Sequence, residues 1–151
     1  MPDASPLQED TTRRIADSFA KQAFMTTLGA RLLHVRPGEI EIDLPVSAHL
    51  TQQHGFVHAG AVASIADSAA GYAALTTMPA GVGVLTAEFK INLLAPAAGE
   101  RLLAKGKVIK AGRTLTLAMA EVFAISGGPP KLCAMLTATC MAITGREGVS
   151  D

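Results

Sequence analysis

The sequence predicts an α+β domain in which an antiparallel sheet wraps one long central helix. Three observations carry that expectation. Gly60–Met78 is a long run of very small and apolar side chains, with Pro79-Ala80-Gly81 placed to stop it as a helix. The segments around it alternate apolar and polar residues between glycine- and proline-rich turns, as strands do. The chain is 151 residues long, 49% hydrophobic and 17% charged, enough for one domain with a substantial core. Long antiparallel strands need something apolar to wrap, and within the chain Gly60–Met78 is the element apolar enough to serve. Its Ala, Gly and Ser positions let a curved sheet approach closely.

In chain order, residues 1–10 carry two prolines and little to bury and are expected to be flexible, with the domain proper over 11–144 and a fraying tail at 145–151. Thr11–Met25 reads as a helix, because Ile15, Ala16, Phe19 and Phe24 fall near one face and Arg13, Arg14, Asp17 and Lys21 elsewhere. Ala30–Val35 and Glu39–Leu44 form a hairpin through Arg36-Pro37-Gly38-Glu39, where Pro then Gly at the centre suits a type II turn. Ser47–Val57 is a polar loop. Beyond the helix, Leu85–Leu94, Arg101–Lys110, Thr114–Ile125 and Lys131–Ile143 are strands, separated by Pro96 and Gly99, Ala111-Gly112-Arg113 and Ser126–Pro130. The last strand is apolar on both faces, which points to a subunit interface.

The bulk properties exclude several classes. Thirteen basic and thirteen acidic residues cancel, which argues against a protein that tracks nucleic acid by its phosphates. No basic segment followed by an apolar one opens the chain, an expectation against secretion. Asp67 and several Ser and Thr break the longest apolar run, which makes it a poor membrane span. Cys133 and Cys140, seven apart on one strand, should face opposite ways and remain unpaired, as buried thiols do in a reducing cytoplasm.

The chemistry centres on Asp67. A single carboxylate two turns inside an apolar helix that contains no Lys or Arg is costly to bury without a purpose. Two bland readings compete: a structurally capped acid, and a helix that exposes Asp67 alongside Ser64, Ser68 and Gly71. The functional reading pairs the carboxylate with the N–H groups at the helix start, Ala59 and Gly60, where the helix dipole would stabilise a developing oxyanion. Seven residues of helix separate Gly60 from Asp67, about 10 Å at the usual rise. One carbonyl cannot touch both. Two antiparallel helices related by a two-fold axis would bring each Asp67 to the other chain's helix start, so this hypothesis requires a dimer.

His58-Ala59-Gly60 with Ile65-Ala66-Asp67 resembles the H-G-G-x6-D signature of hotdog-fold acyl-CoA thioesterases of the phenylacetic-acid-degradation, PaaI-like type. Leu28-Gly29-Ala30, Pro37-Gly38, Gly55-Phe56-Val57-His58, Thr86–Asn92 with Pro96 beyond, and Gly112-Arg113-Thr114 extend the resemblance along the chain. It implies a hotdog fold and hydrolysis of an acyl-CoA, aryl-acyl or medium-chain, with CoA as part of the substrate and no separate cofactor or metal. It implies Asp67 as nucleophile or general base, the Ala59 and Gly60 amides as oxyanion hole, His58 shaping that loop, and Thr86 helping to hold the attacking water. Gln52 stands where the family carries Asn, and Ala59 where it carries Gly; alanine would be strained there if the position needed positive φ.

The resemblance also implies CoA contacts along Lys110-Ala111-Gly112-Arg113-Thr114, where two cations and backbone amides can meet phosphates, and along Leu93-Leu94-Ala95-Pro96. Phe56, Tyr72, Met78 and Phe89 are candidates to line an acyl pocket. His49, His54 and His58 lack an acid or Cys to complete a metal site, and Ser64 and Ser68 lack a nucleophile elbow. Two alternatives stand beside hydrolysis: a non-catalytic acyl-CoA-binding dimer, and a hydratase on the same fold, which would need a catalytic histidine beside the acid. The expected partners are an acyl-CoA and further copies of the chain, a dimer or a tetramer, with no nucleic acid or membrane, in the cytoplasm.

Overall fold

The computed structural model of the chain describes residues 6–151. Residues 1–5, half of the segment expected to be flexible, lie outside the described residues, and from Pro6 the chain is already helical. The expected helix over Thr11–Met25 is two helices, α1 (Pro6–Ala20) and α2 (Ala23–Leu28). They part at Gln22, whose backbone leaves the helical region at φ −81°, ψ 88° while its Oε1 accepts a 3.2 Å bond from the Ser68 hydroxyl. Gly29, at φ 77°, ends α2 in the left-handed conformation that glycine adopts without strain.

Six antiparallel strands follow: β1 (Arg31–Arg36), β2 (Glu39–Pro45), β3 (Gly83–Leu93), β4 (Arg101–Lys110), β5 (Leu115–Ile125) and β6 (Lys131–Ile143). They form one sheet in the order β1-β2-β4-β5-β6-β3. Gly38, at φ 74°, makes the predicted β1–β2 turn. The polar loop before the helix holds a single 3-10 turn, Ala48–Leu50, and a bridge between Thr51 and Val57.

Between β2 and β3 runs α3 (Ala59–Leu75), the element the sheet wraps. It stops at Leu75 rather than Met78 because Thr76 and Thr77 turn their hydroxyls back onto Ala73 O and Ala74 O, at 2.6 and 2.8 Å. Small residues set the distance between helix and sheet. A Cβ on Gly106 of β4 would sit 2.1 Å from Ala69 O, so glycine there permits backbone contact. Ala104, Ala118, Ala120 and Ala138 continue the same thin inner face, all essentially buried.

Arg14 on α1 caps the far end of α3, donating to Leu75 O, Met78 O and Pro79 O at 2.9–3.1 Å and supplying the cation that the helix lacks. The same guanidinium pairs with Asp151 at 2.8 Å. The tail expected to fray thus carries an ion pair, and Asp151 also accepts from the Gly81 N–H.

The outer face of the sheet has two characters. Over β1, β2 and β4 it is a ladder of ion pairs, Arg31 and Arg101 on Asp43, Lys105 on Glu41, and Lys107 on Glu39. Over β5, β6 and β3 it exposes Leu115, Leu117, Met135 and Leu85. One expectation fails at Cys133. The register shift between Val122 and Phe123 leaves Cys133 as an extra residue in β6, a bulge that resets the alternation, so both cysteines are buried and unpaired.

Candidate active site

Two hollows beside α3 hold different halves of the expected chemistry. The first, about 400 Å³, is lined by Asp67, Ser68, Gly71, Tyr72 and Thr86 among others. The second, about 550 Å³, is lined by Gln52, His58, Ala59 and Leu93–Ala97. A third, about 380 Å³, lies on the charged outer face among Lys105, Lys107, Glu39 and Glu41, which pair with one another, and is remote from Asp67.

Asp67 is half-buried, and Thr86 Oγ1 donates to its Oδ1 at 2.8 Å. The strand aims Thr86 through an irregularity: Thr86 pairs with Cys140 but Glu88 pairs with Thr139, so Ala87 is an extra residue that turns the strand locally. Burial pushes the Asp67 carboxyl above the ordinary aspartate value, and the Thr86 bond pulls the other way. Cys140 lies between Thr86 and Thr116 in the strand register. Burial first and the Asp67 charge second push its thiol up to about 11, with the Thr86 hydroxyl opposing. Thr116 Oγ1, in the same row, is buried with no hydrogen-bond partner among the described residues.

The helix start is built by His58. Its backbone is extended, as an N-cap requires, and its Nδ1 accepts the Gly60 N–H at 2.9 Å. A Cβ on Gly60 would stand 3.0 Å from that nitrogen, so a small residue there keeps the cap intact. Ala61 N–H and Val62 N–H turn back to His58 O, at 2.9 and 3.2 Å. The Ala59 N–H is left as the open donor of this exposed turn. The expected pair of amides therefore narrows to one: Gly60's is held by the ring of His58. Ala59 itself is unstrained, because no described residue other than glycine has positive φ.

The remaining candidates divide between the two regions. Gln52 folds onto its own loop, with its Oε1 accepting the His54 N–H and its N–H bonded to Phe56 O at 2.8 Å. Leu93, Leu94, Ala95 and Pro96 line the helix-start hollow; the Leu94 and Ala95 amides are pinned to Cys133 O at the β6 bulge. The turn Lys110–Thr114 is fully exposed and belongs to neither hollow. It sits at the Thr86 end of the sheet, tied to β6 by Ala142 N–H on Thr114 O at 2.9 Å. Gly112 is obligatory there, since a Cβ would fall 2.3 Å from Leu115 O. Phe56 lines the helix-start hollow and Tyr72 the Asp67 hollow, Met78 is core, and Phe89 stands exposed on β3.

Sequence reasoning missed the rest of the Asp67 hollow. Ser18 reaches it from α1 and Gln22 from the break between α1 and α2, and Gly148–Asp151 form one of its walls. Only Ser68 and Gly71 carried a signal, since they share the Asp67 side of a helix.

A family model described as the Thioesterase superfamily matches residues 54–131, from the His58 turn to the start of β6. A thioesterase family protein from Silicibacter pomeroyi is 48% identical, with 89% of this chain and 99% of that one covered and a TM-score of 0.88. A mutant of the phenylacetic acid degradation protein PaaI from Thermus thermophilus is 29% identical over 80% of this chain and 98% of that one, at a TM-score of 0.69. The E. coli PaaI protein of the phenylacetic acid degradation operon is 21% identical, covering 95% and 98%, and shares the fold at a TM-score of 0.82.

Proposed function

The chain belongs to the thioesterase superfamily, and from that premise we propose that it hydrolyses an acyl-CoA thioester, aryl-acyl or medium-chain, in a homodimer whose every site is built from both chains. One observation carries the proposal. The carboxylate, braced by Thr86, and the open amide of Ala59 lie too far apart on one helix to act on the same carbonyl.

The edge of the sheet supports the dimer. β3 pairs with β6 on one side, its other side is open over 11 residues, and it exposes Leu85, Phe89 and Leu93. A long apolar edge strand of this kind invites a partner strand. Antiparallel pairing of two copies along β3 would set one chain's Ala59 and Leu93–Pro96 against the other's Asp67, Thr86 and Lys110–Thr114. Both halves of the CoA contact surface then meet, with Lys110 and Arg113 free to take its phosphates. The apolar outer patch around Leu115, Leu117 and Met135 would serve for pairing dimers into tetramers.

In this reading the thioester carbonyl oxygen accepts a hydrogen bond from the partner's helix start, where the dipole favours negative charge. Asp67 removes a proton from water as it adds to the carbonyl carbon, or adds to that carbon itself. When water attacks, the C–S bond then breaks and the CoA thiolate takes the proton held at Asp67. When Asp67 attacks, breaking the C–S bond expels the thiolate and leaves an acyl anhydride on Asp67, which water hydrolyses, its proton going to the thiolate. Either way the products are the free acid and CoA. Ionised Asp67 is required; burial, the larger effect, opposes ionisation, and the Thr86 bond works against burial. Two unpaired buried thiols suit a reducing cytoplasm, and among the described residues no helix is long and apolar enough to cross a membrane.

Thiol release measured across CoA esters of graded chain length and ring content tests the proposal. Release from at least one class is expected. Tight binding of the esters without release would instead favour a non-catalytic binder.

A further inference from the structure

The hollow beside Asp67 runs along α3. One helical turn on from the carboxylate, at Gly71, a Cβ would meet nothing within 4 Å, so this position opens into space. A further turn on is Leu75, and facing them across the cavity is the segment Gly148–Asp151. That segment is held at two points. Asp151 pairs with Arg14 at 2.8 Å, with both side chains nearly buried at 12–13% exposure, and accepts the Gly81 N–H at 3.1 Å. Val149 packs onto Gly83, where a Cβ would come within 2.7 Å of Val149 Cγ1, so the strand is bare where Val149 touches it. Arg14 also holds the end of α3, so wall and floor share an anchor.

We infer that Gly148–Asp151 is the distal wall of the acyl pocket and sets how large an acyl group the enzyme accepts. The inference rests on the reading that Asp67 faces the thioester. An acyl chain leaving the carbonyl at Asp67 passes Gly71, meets Val149, and ends against the Arg14–Asp151 pair. The near wall carries Ser18, Gln22 and Ser68, polar groups that leave room for a hydroxylated or otherwise polar ring.

The test uses three full-length variants. Val149→Ala enlarges the cavity, Asp151→Asn releases the wall, and Gly71→Val fills the same space from the helix side. Each is assayed for kcat/KM across CoA esters of increasing acyl size, and for binding of non-hydrolysable CoA thioethers of the same sizes; thermal melting confirms folding. The first two should shift preference toward larger acyl groups by about tenfold or more, the worth of a methylene or two in an apolar pocket, and Gly71→Val should shift it the other way. An unchanged size preference, or a uniform loss across all sizes, would overturn the wall. If the wild type releases no thiol while the thioether preference still shifts, the wall stands and the catalytic reading fails.

Discussion

Thr86 Oγ1 and Asp67 Oδ1 lie 2.8 Å apart, a strand hydroxyl bonded to the one carboxylate of α3. The bond opposes the burial that raises the carboxyl above its ordinary value. Removing the hydroxyl with Thr86→Val should raise it further and move the acid limb of the kcat/KM profile to higher pH, while Thr86→Ser should restore the limb. A profile that does not move in Thr86→Val would show that the bond does not tune the base.

Asp67→Asn should lower kcat by about 10²- to 10⁴-fold, the usual contribution of a positioned base. It should also stabilise the fold at neutral pH. A carboxyl raised in the folded state contributes stability that is fully present below its unfolded value, near 3.8, and lost as pH rises through the higher folded value. Above that window the ionised acid is a cost that asparagine does not carry. Melting temperatures taken across pH should therefore show the variant above the wild type at neutrality, with the gap closing under acid. A variant that melts lower throughout would mean that the partner subunit's helix start, set against Asp67 in the proposed dimer, favours the ionised acid by more than burial opposes it.

Cys140 sits beside this pair with its thiol pushed up to about 11 by burial and the Asp67 charge, and the Cys133 thiol is also raised by burial. Native protein at mildly alkaline pH should resist alkylation at both sulfurs, and unfolding should release both. Rapid native labelling of Cys140, read by peptide mass, would contradict its placement under α3.

Much of the architecture was legible because its signals are local. β4 and β6 begin and end where alternation and turn residues put them, and Gly38 makes the turn that Pro37-Gly38 implied. What escaped the sequence depended on contacts between distant segments. Gln22, where the first helix breaks, has its side chain bonded to Ser68, forty-six residues on. Cys133 turns inward because a bulge against β5 resets its face. The tail is held by Arg14, whose role at the end of α3 no periodicity reveals.

The site divided in the same way. The spacing from Gly60 to Asp67 already separated it into two halves, and the motif pointed to Thr86. That the Gly60 N–H belongs to His58 Nδ1 is a side-chain rotamer, invisible in a string of residues. The departure at Ala59 also changes meaning. At the first position of a helix, with negative φ, alanine donates its N–H as well as glycine would.

That position supplies the decisive measurement. Proline suits the first helical residue, and His58 before it already has the extended backbone, ψ 139°, that a following proline demands. Ala59→Pro should thus fold while deleting the open N–H, and lose about 10²- to 10³-fold in kcat. Ala59→Pro and Asp67→Asn chains, each nearly inactive alone, are then unfolded together, refolded as a mixture and assayed. If each site joins Asp67 of one chain to Ala59 of the other, mixed dimers carry one intact site, and a random equal mixture recovers about a quarter of the wild-type rate. No recovery, with mixed dimers shown to form, would contradict a site shared between subunits.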